Sequence, residues 1–66
     1  MKYSKRICIY PKDIQRITGK SERHARNLLS KIREYLNKEP HQFVTTEEFA
    51  SFTGIKKELV DEFIID

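Results

Sequence analysis

IYPKDIQRITGKSERHARNLL, residues 9–29, and VTTEEFASFTGIKKELVDEFI, residues 44–64, decide the fold when one is set above the other. The offset is 35 residues throughout, without a gap. Ile14 falls over Phe49, Ile17 over Phe52, Thr18-Gly19 over Thr53-Gly54, Ala25 over Val60, and Leu28-Leu29 over Phe63-Ile64. A shared apolar spacing around a shared Thr-Gly implies one supersecondary unit used twice. Each copy opens with a β-prone stretch, Arg6–Tyr10 and Gln42–Thr45, and these two can pair as a minimal two-stranded ribbon.

A short helix follows in each copy. Pro11 suits a first helical position, where its missing N–H is not needed. Thr45 and Glu48 have the spacing of a capping box. The helices are expected over about Pro11–Thr18 and Thr46–Thr53, ended by Gly19 and Gly54, which supply the left-handed conformation of a helix cap. Second helices start near Ser21, a good N-cap, and near Lys56, which is not a capping residue. In the first, Ala25, Leu28, Leu29, Ile32, Tyr35 and Leu36 form one apolar stripe ending near Asn37. In the last, Leu59, Val60, Phe63 and Ile64 do the same. The fold class is mainly α: four helices in two short-long pairs, with the small ribbon.

The 66 residues allow one small domain, residues 1–66, with a basic unit over 11–38 and an acidic unit over 42–66. The net charge of +3 hides an asymmetry. Residues 1–40 hold eleven Lys/Arg and four Asp/Glu; residues 41–66 hold two and six. A basic half on so small a chain points to a polyanionic partner. Cys8, the lone cysteine, reads as a small buried hydrophobe in a reducing compartment. No apolar run approaches the ~20 residues of a membrane span, and the basic start MKYSKR is not followed by the apolar core of a signal peptide. A cytoplasmic protein is expected.

A short helix, a tight glycine turn and a serine-capped second helix resemble the helix-turn-helix of small bacterial and phage DNA-binding regulators. Pro11–Ser30 carries the likeness at Ile14, Gly19, Ser21, Ala25 and Leu28. It departs at Gln15, where the family has alanine, and at Lys20, where it has an apolar residue. The second copy fits the apolar skeleton better, through Ala50, Gly54, Ile55, Val60 and Phe63. The resemblance implies double-stranded DNA as partner, a role in transcriptional regulation or as a mobile-element accessory factor, and a second helix laid in the major groove.

The candidate contact residues are what remains when the apolar stripe is removed: Ser21, Glu22, Arg23, Arg26, Asn27, Ser30 and Lys31. Arginine can pair bidentately with guanine and asparagine with adenine. Lys12, Arg16 and Lys20 flank this face and are suited to phosphates. Glu22 and Arg26, four apart, can form a surface ion pair. His24 is expected to pack at the helix-helix junction, and Lys2, Lys5 and Arg6 can form a basic arm. The equivalent face after Gly54 carries Lys56, Lys57, Glu58, Asp61 and Glu62, whose carboxylates would repel a phosphate backbone. The alternative is therefore a protein-interaction module in which the acidic second unit, with Phe63, Ile64 and Ile65, holds the partner. One module offers little contact area, so a homodimer or tandem sites are expected. His24, His41 and Cys8 lack metal-ligand spacing, and no phosphate loop or nucleophile motif is present. Neither catalysis nor a cofactor is expected.

Overall fold

The computed structural model describes residues 7–64. It contains α1 (Pro11–Thr18), α2 (Glu22–Tyr35), α3 (Thr46–Thr53) and α4 (Lys57–Glu62), with α1 packed on α2 and α3 on α4. The chain is mainly helical. Its buried side chains form one cluster drawn from both halves, in equivalent places: Ile9 and Val44, Ile14 and Phe49, Ala25 and Val60, Leu29 and Ile64. The equivalences set by the 35-residue offset are thus the plan of the core, to which α2 adds Ile32 and α3 adds Ala50.

The two turns are built alike. Gly19 (φ 73°, ψ 13°) and Gly54 (φ 80°, ψ 6°) both adopt the left-handed conformation. Their N–H groups donate to Gln15 O at 2.8 Å and Ala50 O at 2.9 Å. The preceding threonines act identically: Thr18 Oγ1 donates to Ile14 O and Thr53 Oγ1 to Phe49 O, each at 2.8 Å. Each hydroxyl also accepts the N–H two residues on, from Lys20 and from Ile55. The Thr-Gly pair therefore closes one helix and aims the next through side-chain as well as backbone bonds.

The helix starts are also paired. Thr45 Oγ1 accepts from Glu48 N–H at 3.0 Å, and Glu48 Oε1 accepts from Thr45 N–H at 2.9 Å, completing the capping box. In α1 the equivalent acid is Asp13, whose Oδ2 accepts from Tyr10 N–H at 2.8 Å. Asp13 is fully buried and also takes Arg16 Nη1 at 3.2 Å. α2 ends in a Schellman motif. Lys38 N–H donates to Arg33 O and Asn37 N–H to Glu34 O, with Asn37 at φ 61°.

Four expectations need correction. The ribbon shrinks to one antiparallel bridge, Cys8 with Thr45, flanked by bonds from Ile9 N–H to Val44 O and from Thr46 N–H to Ile7 O. Pro11 and Thr46 turn both segments into helix immediately, so no ladder can extend; Arg6 lies outside the described residues. Tyr35 is not in the stripe: it is 74% exposed and sets its ring edge-on to Phe52, centroids 5.2 Å apart. Leu59 and Phe63 are exposed; of that stripe only Val60 and Ile64 reach the shared core, Ile64 from just past the end of α4 at Glu62. Cys8 is half-buried.

Candidate nucleic-acid interface

The first turns of α2 carry the candidate site, and Ser21 places them. Its hydroxyl accepts from His24 N–H at 3.2 Å, satisfying one of the amides that a helix start leaves orphaned. Ala25, Leu29 and Ile32 then turn inward. What faces outward follows from the 100° step between residues: Glu22, Arg23, Arg26 and Asn27 line one shallow concavity. All four are exposed.

Within that concavity Glu22 Oε2 holds Arg26 Nη2 at 2.6 Å. Both side chains are more than half exposed, so the pair adds only about 0.3–0.5 kcal/mol to the helix. Its larger effect is orientation, since it restrains one long guanidinium on the open face. Arg23 and Asn27 have no such tether among the described residues.

The other candidates disperse around this centre. Lys31 lies on one flank, in a cleft it shares with His24, Asn27, Leu28 and Glu34. Ser30 lies on the opposite flank beside Arg26, Leu29 and Arg33. Lys20 is exposed in the turn. Lys12 is exposed on α1, and Arg16 is committed to Asp13 at the same helix. His24 is exposed on α2 instead of filling the helix-helix junction, which Ala25 and Ile14 close without it.

Two residues with a part here escape a reading of the sequence alone. Arg33 donates from Nε to Gln42 O at 2.9 Å and so ties the α2–α3 loop against the same side of α2. Asp13 anchors the start of α1; the signal that could have found it is its position 35 residues before Glu48.

On α4 the equivalent face is acidic. Lys57 Nζ pairs with Asp61 Oδ2 at 2.9 Å, and this hydrogen bond raises the lysine above its ordinary pKa. Glu58 and Glu62 stand exposed beside it. Glu48 pairs with Lys38 Nζ at 3.2 Å, across the loop that joins the units. The Thr45 N–H is the main cause that lowers its pKa, with Lys38 assisting. Among the described residues, no cluster of three or more His, Cys, Asp or Glu side chains is arranged to hold a metal, and no helix is long and apolar enough to cross a membrane. No family model, curated protein or solved structure matches the chain.

Proposed function

We propose that this chain is a sequence-specific DNA-binding module that lays the first turns of α2 in the major groove of duplex DNA, as a cytoplasmic transcriptional regulator or a mobile-element accessory factor. One observation carries the reading. Two turns of the same construction launch two helices. The solvent face of one gathers Arg23, Arg26 and Asn27 around Glu22, while that of the other presents Glu58 and Glu62 beside the Lys57–Asp61 pair. A skeleton needed only for packing has no use for that contrast.

The roles follow from side-chain chemistry. Arg23 and Asn27 read base edges, bidentate to guanine and adenine respectively. Arg26, restrained by Glu22, is a second guanine reader, and the Glu22 carboxylate disfavours register shifts that would bring it onto a phosphate. Lys12, Arg16, Lys20 and Lys31 neutralise the backbone on either side, with Ser21 and Ser30 as small polar neighbours. A contact area this small calls for a homodimer or tandem copies on the DNA.

The test is a titration of short duplex DNA followed by backbone-amide NMR shifts, repeated across salt concentrations. Shifts centred on residues 21–31 and an affinity that falls with a log-log slope of about −0.9 per neutralised phosphate are expected. The Arg23→Ala/Arg26→Ala variant should lose roughly tenfold or more in affinity with an unchanged melting temperature, since both side chains are exposed. Wild-type binding by that variant would sink the assignment.

The second reading, a protein-binding module using the acidic unit, keeps Phe63 and gains Leu59, both exposed, but loses Ile64, which is buried in the core, while Ile65 lies outside the described residues. Loss of a protein partner in Asp61→Lys/Glu62→Lys, with DNA binding intact, would place an interaction there.

A further inference from the structure

The side of α2 that carries Ser30 holds a second feature. Tyr10 and Phe43, from segments 33 residues apart in sequence, line one cleft of about 280 Å³ together with Arg26 and Arg33. Ile9 and Leu29 form part of its apolar lining. Phe43 is 60% and Tyr10 42% exposed. None of the lining residues is acidic. The carboxylates beside it are already engaged, Glu22 by Arg26 and Asp13 by Arg16 and the Tyr10 N–H.

This placement is held, not incidental. Arg33 fastens the loop through Gln42 O, the residue before Phe43. Gln42 Oε1 in turn accepts from Glu39 N–H at 2.7 Å, closing the loop on itself. On the other wall, the Asp13 carboxylate fixes the Tyr10 backbone. The two partly exposed aromatic side chains stand with two guanidinium groups whose planar forks suit phosphate. Rings for a π-face and arginines for an anion are the combination that binds an unpaired nucleotide.

We infer that the Tyr10–Phe43–Arg26–Arg33 cleft takes a nucleobase together with its phosphate, stacking the base on the aromatic side chains and holding the phosphate with the arginines. The inference rests on the reading of α2 as the DNA-contacting helix, since Arg26 belongs to both surfaces. The nucleotide can come from an unpaired end or displaced strand of the bound DNA, or from a free nucleotide in solution, and the experiment separates the two.

Two duplexes of the same sequence, one blunt and one with a short single-stranded overhang, are titrated against the wild type, Tyr10→Ala/Phe43→Ala and Phe43→Trp, with the mononucleotide dAMP as a third probe. The overhang should tighten binding roughly tenfold, the worth of one stacked base. That gain should vanish in the double alanine variant, survive in Phe43→Trp, and leave blunt-duplex affinity unchanged. Both aromatic side chains are exposed, so a thermal melt equal to wild type verifies that the alanine variant is folded. If dAMP alone moves the Tyr10 and Phe43 ring resonances saturably and the overhang adds nothing, the source is a free nucleotide. An overhang gain that persists in the double alanine variant overturns the inference, as do ring resonances that neither the overhang nor dAMP moves. Ring shifts with overhang DNA but no binding of the blunt duplex would overturn the reading of the α2 face and leave the cleft standing.

Discussion

The turns after α1 and α3 match bond for bond, yet they launch different helices. α2 runs fourteen residues, is capped by Ser21 and ends in a Schellman motif at Asn37. α4 runs six, starts at Lys56 without a side-chain cap, and tightens to a close as Phe63 N–H donates to Val60 O. One turn geometry thus supports both an extended, basic face and a short, acidic one. The difference teaches that the turn sets where a helix begins and points, while caps and surface residues set how far it runs and what it meets.

The comparison is open to breakage, and the largest effect tests the shared core. Phe49 and Ile14 occupy equivalent, fully buried places. Phe49→Ala should cost about 3–5 kcal/mol and Ile14→Ala about 2–5 kcal/mol. A chain of 66 residues has only roughly 3–10 kcal/mol in all, so either variant is expected to be largely unfolded by circular dichroism. Both units should melt in one transition. Survival of one unit after the other has melted would break the picture of a common core.

The next effect tests the turns. Gly19→Val and Gly54→Val should each destabilise by more than about 1 kcal/mol, because a β-branched residue is strained at φ 73° or 80°. A Cβ at either site meets nothing within 4 Å, so the penalty is conformational and should be nearly equal at the two positions. Clearly unequal melting shifts would show that the turns, alike in geometry, are not alike in energy.

The smallest effect tests the Glu48 cap. Glu48 has its pKa lowered, chiefly by the Thr45 N–H. A carboxylate stabilised in the folded state contributes fully above its ordinary value of 4.5, and that contribution fades as pH falls through the lower folded value. Glu48→Gln should therefore narrow the loss of stability between neutral and acidic pH, read from melting temperature against pH. An unchanged profile would remove the Glu48 cap from the acid response. Thr45→Ala, by comparison, should cost about 1 kcal/mol at neutral pH.

Most of the fold was legible in the chain. The helix limits at Pro11, Thr18, Thr46 and Thr53, the left-handed glycines, the Ser21 cap and the Thr45–Glu48 box are local features, written in residues a few positions apart. The errors have a common cause. Tyr35, Leu59 and Phe63 fit an apolar stripe by spacing, but spacing cannot say where a helix stops or which part of its stripe has a neighbour. His24 failed for the same reason. The grouping of Glu22, Arg23, Arg26 and Asn27 could be foreseen from helix periodicity. The cleft of Tyr10, Phe43 and Arg33 could not, because its members come from three segments.

By itself, then, the sequence determined four helices, two like turns, and a basic and an acidic surface, because caps, glycines and charges act within one or two turns of chain. Only the tertiary structure decided that Asp13 is buried beside Arg16, that Leu59 and Phe63 face solvent, and that Tyr10 and Phe43 line one cleft with two arginines of α2. Those outcomes depend on which surfaces the common core covers, and that core exists only when both halves of the chain are folded together.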